Sequence, residues 1–160
     1  MTRFIALAFA VCCWLQVQPA SAQDAQKLVG TWKLVSWKVQ YAGENAKEPF
    51  GGKAKGRLIV APDGYWSALI TRAERKPATN DAERARLLRS MVAYSGKFTI
   101  TGDKITTAID LSWNEVSSGK NQERFFKMEG DKLVISSPEQ ASVLQPGKRV
   151  QTTLTWEREK

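Results

Sequence analysis

The chain has 160 residues, no histidine, and 24 lysines and arginines against 16 acidic residues, for a net charge of +8. Without histidine neither a Ser-His-Asp nor a Cys-His nucleophile system can be assembled, and the commonest zinc ligand is missing, so most hydrolase readings fall and no metal or other cofactor is expected. The basic residues are scattered, with no run of five or more, so no nucleic-acid partner is expected; the excess positive charge serves solubility and attracts anionic ligands or surfaces.

Residues 1–22 read as an export signal: Arg3 supplies a positive start, residues 4–15 are an unbroken apolar run, and Ala20-Ser21-Ala22 is a small-residue cleavage site. That run is well short of the roughly 20 apolar residues a membrane anchor needs. The segment is therefore expected to be removed, leaving a periplasmic or secreted protein with no stable membrane anchor. Both cysteines, Cys12 and Cys13, lie inside it. The mature chain, residues 23–160, then has no disulfide and must be held by burial in one core, for which its length suffices.

Residues 30–41 are rich in β-branched and aromatic side chains, with Trp32, Leu34 and Ser36 on one face and Val35, Trp37 and Val39 on the other, which predicts a strand apolar on both sides. Residues 41–55, with Gly43, Pro49, Gly51 and Gly52 among charges, read as a loop that could cap a barrel end. Two strands, 55–61 and 65–72, flank the turn Pro62-Asp63-Gly64. A helix is predicted over residues 81–92, with Asn80 as N-cap, Glu83 three residues later, and an apolar stripe of Ala82, Ala85, Leu88, Met91 and Val92 facing away from Arg84, Arg86 and Arg89. Two further hairpins follow: 94–101 with 104–113 around Gly102-Asp103, and 121–129 with 132–137 around Gly130-Asp131. A loop through Pro138, Pro146 and Gly147 leads to a last strand at 149–158. About eight short strands joined by hairpins, with one helix inserted around residues 81–92, predict an all-β antiparallel up-and-down barrel whose interior is just wide enough for packed side chains or one small ligand.

Several blocks of the chain also resemble, in order, those of the bacterial and fungal lipocalin-like domain family, of calycin type. They are Leu28-Val29-Gly30-Thr31-Trp32-Lys33-Leu34-Val35-Ser36-Trp37, then Pro49-Phe50-Gly51, Lys55-Gly56-Arg57-Leu58-Ile59 and Pro62-Asp63-Gly64, then Ala93-Tyr94-Ser95-Gly96-Lys97-Phe98, and finally Leu154-Thr155-Trp156-Glu157-Arg158. The resemblance spans nearly the whole mature chain and implies an eight-stranded lipocalin-like barrel. It implies no single activity, because fold does not fix function. Where many members are expected to carry a histidine after the Tyr94-x-Gly96 block, this chain has Thr107, which removes a proton-transfer role there.

In such a barrel the first and last strands pair, so Gly30, Trp32 and Arg158 are expected to be structural, with the guanidinium stacked on the indole. Trp66, Ala68 and Ile70 share one face, as do Tyr94, Phe98 and Ile100, and Ile105, Thr107, Ile109, Leu111 and Trp113. Turned inward, they give an aromatic lumen or simply a filled core; the small residues Ala68, Gly96 and Thr107 argue for vacant space. Arg124 shares parity with Phe126 and Met128 and so faces the lumen, where a buried charge needs a partner: Tyr94, Glu129, another protein group, or the carboxylate or phosphate of a ligand. Arg57 and Arg72 read as surface charges. The candidate ligand-binding set is Trp66, Tyr94, Phe98, Thr107, Trp113, Arg124 and Phe126, with no catalytic residue. Pairs such as Glu123 with Glu129, or Asp110 with Glu115, have no spacing that marks them as an acid and base.

Three functions fit these residues. The first is a carrier of a small apolar or amphipathic, anionic ligand. The second is a cofactor-independent isomerase or cyclase in which Tyr94, Arg124 and a barrel acid hold a reactive conformer and proton transfer is minor. The third is a protein-interaction barrel with a packed lumen, meeting an acidic partner through Arg84, Arg86 and Arg89.

Overall fold

The alternating stretches form nine antiparallel strands in the computed structural model, which describes residues 25–141 and 146–160. They are β1 (Gly30–Tyr41), β2 (Ala54–Val60), β3 (Tyr65–Arg72), β4 (Met91–Thr101), β5 (Lys104–Ser112), β6 (Asn121–Glu129), β7 (Lys132–Ser136), β8 (Gln140–Ala141) and β9 (Arg149–Arg158), with a helix, α1 (Asp81–Arg89), between β3 and β4. Strands β1 to β7 and then β9 pair in that order, and β9 returns to β1, so eight strands close into an up-and-down barrel. The two-residue β8, which the turn pattern does not announce, pairs only with the start of β9. The segment read as an export signal, residues 1–22 with both cysteines, lies outside the described residues.

Two bulges decide which side chains point inward. In β1 the register against β9 shifts between Leu34 and Ser36, so Val35 is an extra residue and is 47% exposed. The inward face therefore passes from Trp32 and Leu34 to Trp37, which resolves the two-sided apolar pattern of that strand. In β5 the register against β4 shifts between Ser95 and Gly96, with Asp110 the extra residue. Ile105, Thr107 and Ile109 point inward before the bulge, whereas Leu111 beyond it is 69% exposed. Gly96 sits in this bulge, where a Cβ would strike the Ala108 carbonyl oxygen. Its small size thus serves a close backbone approach and leaves no vacant space in the lumen.

The helix starts as its sequence predicts but stops early. Asn80 accepts a hydrogen bond from Glu83 N at 3.0 Å, and Glu83 accepts from Thr79 N at 2.8 Å, which satisfies two N–H groups at the helix start. These N–H and hydroxyl bonds from Thr79 hold the Glu83 carboxyl below its ordinary pKa. Met91 and Val92 open β4 instead of ending the helix, because they pair with Thr71 and Ile70 of β3. The predicted apolar stripe is consequently not buried: α1 has no buried residue and Leu88 is 51% exposed. Arg84 and Arg86 are engaged within the helix, with Asp81 and Glu83.

The base of the barrel is solid. Leu28, Trp32, Leu58, Ile105 and Leu133 are fully buried there, and the Trp32 indole N–H donates to Leu28 O at 2.8 Å. Arg158, directly opposite Trp32 in the β1–β9 ladder, lies 4.2 Å over the indole and donates to Val29 O and Lys27 O, both at 2.7 Å. Gly30 is held at φ 137°, and a Cβ there would strike the Arg158 guanidinium.

Candidate functional site

Above that base the lumen opens into a cavity of about 200 Å³. Its walls come from alternate residues of five strands: Trp37 of β1, Trp66, Ala68 and Ile70 of β3, Val92 and Tyr94 of β4, Gln122 and Arg124 of β6, and Thr152, Leu154 and Trp156 of β9, with Ile135 of β7 completing the ring. Phe50 packs edge-on against Trp37, ring centroids 5.3 Å apart. Phe50 has φ 60°, a left-handed conformation costing a bulky residue on the order of 1 kcal/mol, which its packing on Trp37 offsets.

Trp66, Tyr94 and Arg124, three of the residues singled out in the sequence, meet in this cavity. Ring centroids of Trp66 and Tyr94 stand 6.5 Å apart. Phe98 lies on the basal side of Trp66, centroids 6.3 Å apart, and packs against the core. Phe126 packs there too, beside Gly130 and Arg158, and Thr107 is fully buried. None of these three lines the cavity. Trp113 stands outside the barrel: the β5 bulge brings its N–H to Ala93 O, on the outward parity of β4, and it lines an external groove with Leu69 and Leu111. Trp37, Gln122 and Trp156 are lining residues with polar groups that the set read from the sequence leaves out. Gln122 was available as the residue two before Arg124, and Trp37 required knowledge of the bulge.

The polar chemistry of the cavity is weighted toward donors. The indole N–H groups of Trp37 and Trp156 are buried without an acceptor, that of Trp66 has only the Tyr94 phenol beside it, and Gln122 Oε1 is buried without a donor. Among the described residues no carboxylate lines the cavity, and the hydroxyls of Tyr94 and Thr152 can donate or accept. Arg124 has a single hydrogen bond, from Nη1 to the backbone oxygen of its neighbour Glu123 at 2.7 Å, and forms no ion pair among the described residues. Burial pushes its guanidinium pKa down, opposed by Tyr94. The Tyr94 phenol is raised by burial, against the opposing pull of Arg124 and the Trp66 indole, so it stays protonated.

Arg124 also stands at a seam in the wall. Strand β7 pairs with β6 only from Phe125 onward, because the chain turns away after Ser136 and Ser137 bonds to Thr152 instead. Residues 121–124 have no strand on that side among the described residues, and an external groove lined by Lys120, Gln122, Glu123, Arg124, Pro138 and Gln140 reaches the same place, the Glu123 carboxylate being paired with Lys104. Gln122 and Arg124 line both the groove and the cavity within.

No curated protein matches the chain. A model of the lipocalin-like domain family matches residues 29–159, from the residue before β1 to the residue after β9. The closed eight-strand barrel and this match agree along its whole length, and the chain belongs to the lipocalin-like domain family.

Proposed function

We propose that the protein is exported by its N-terminal segment and carries a small apolar or amphipathic molecule in the upper lumen, with Arg124 holding an anionic end. The single observation that carries this reading is a partly buried guanidinium with no ion pair among the described residues, on the wall of a cavity built otherwise of aromatic and aliphatic side chains with Gln122 and Thr152. A desolvated charge is costly unless paired, and an anionic ligand supplies the pairing that the protein omits. A fully packed lumen, which a purely surface-acting barrel would tolerate, is at odds with the cavity. Catalysis by proton transfer is disfavoured in turn, since the lining offers no carboxylate and the Tyr94 phenol is raised beyond its ordinary value.

Native mass spectrometry of the protein purified from its exported compartment tests this reading. A small-molecule adduct is expected that disappears on denaturation and is absent from Arg124→Met. A bare mass under every gentle condition overturns it.

A further inference from the structure

The lumen also constrains the class of molecule it can hold; this deepens the carrier reading and rests on it. We infer that the site takes a monocarboxylate no larger than one ring with short substituents, its carboxylate on Arg124 at the seam and a second acceptor against the indoles. Size sets the first limit. A cavity of about 200 Å³ exceeds by little the roughly 150 Å³ that an apolar cavity needs to hold benzene, and falls below the ~300 Å³ at which drug-sized pockets begin. A long acyl chain does not fit.

Hydrogen-bonding capacity sets the second. Indole N–H groups donate only, and a guanidinium donates only. Trp66 and Trp156 are each 2% exposed; the Trp156 N–H has no partner and the Trp66 N–H has only the Tyr94 phenol beside it. Leaving such donors unmade costs more than the bonds are worth when made, so the occupant that stabilises this chamber brings acceptors. Gln122 Oε1 is an orphan acceptor in the cavity lining, and rotation of its amide presents the NH2 group instead. Trp32, by contrast, has its acceptor within the protein, so unpaired indoles are not a general habit of this fold.

Placement sets the third. Arg124 borders the external groove as well as the cavity, so a carboxylate reaches it at the edge of solvent without full desolvation, while the ring lies among Trp37, Trp66 and Trp156.

Isothermal titration of the protein expressed from the full chain tests this, with benzoate, 4-acetylbenzoate, methyl benzoate and hexadecanoate as probes. Benzoate is expected to bind at least about tenfold more tightly than its uncharged methyl ester, because a charge-assisted bond is lost in the ester. The acetyl carbonyl should gain roughly fivefold over benzoate through an indole N–H. Arg124→Met should lower benzoate to the affinity of the ester, and an unchanged circular-dichroism spectrum with no fall in denaturation midpoint shows that the variant is folded. Equal affinity for benzoate and its ester, or tighter binding of hexadecanoate, overturns the class and leaves the carrier reading intact. If no probe binds while the exported protein still carries an adduct, this inference alone fails; if there is no adduct either, both fail.

Discussion

The two halves of the barrel are built from the same residue types to opposite ends. At the base, Trp32 is fully buried, its N–H bonded to Leu28 and its face covered by Arg158, whose own N–H groups are bonded to Val29 and Lys27. In the upper lumen Trp37, Trp66 and Trp156 surround a cavity with the N–H groups of Trp37 and Trp156 unpaired, and Arg124 faces it with no ion pair among the described residues. Each half has tryptophan and arginine; only the base completes them. A polar group left unmade inside a fold is a cost to stability that function must justify, so the contrast separates the part that holds the barrel closed from the part that awaits an occupant.

That contrast can be broken most directly by removing the base tryptophan. Trp32→Ala deletes a fully buried indole from a region with no space to relax and should cost about 3–5 kcal/mol, read by urea or guanidinium denaturation. Arg158→Met comes next: it loses the stacking and two backbone hydrogen bonds that tie residues 27–29 down, and should cost about 2 kcal/mol. A chain that tolerates either change with no shift in midpoint would show that the base is not where stability resides.

Arg124→Met sharpens the comparison from the other side. Here an unpaired charge is exchanged for an apolar side chain of similar length beside a cavity, so stability should stay level or rise by about 1 kcal/mol while anion binding is lost. The two arginines then differ in sign: one variant unfolds more easily, the other does not. Destabilisation of Arg124→Met comparable to that of Arg158→Met would make Arg124 a structural residue and remove it from the site.

The order of the elements was legible because hairpin turns and period-two alternation are local, and the blocks around Trp32, Tyr94 and Trp156 fix the same order independently. What escaped the sequence was non-local. Val35 and Asp110 carry no mark that makes them extra residues; only the register of the partner strand does, and each reverses the faces beyond it. That is why Trp37 was assigned away from Trp32 and Trp113 was placed inside. The helix was over-extended for a related reason, since Met91 and Val92 satisfy a helical spacing until β3 offers a ladder to join. Arg124 was readable from parity alone because β6 has no such shift.

The smallest effect belongs to the rim. Glu44 accepts from Lys47 at 2.6 Å and is paired with Lys148, and these bonds pull its carboxyl from an ordinary 4.5 to about 2. The pairing ties the loop after β1, itself bonded back to Val39 through Lys47, to the residue before β9. Since the folded pKa lies below the unfolded one, this contribution is complete above about pH 4.5 and fades as the pH falls toward 2. Hydrogen-exchange protection of residues 42–53 should therefore drop over that window, and Glu44→Gln should show the lowered protection already at neutral pH with no further step. The pair is solvent-facing, so added salt should weaken it too. If protection of Trp32 and Leu133 falls in parallel, the rim is coupled to the base and the barrel opens as one unit; if they hold, the mouth loosens alone, as a chamber that must admit a ligand requires.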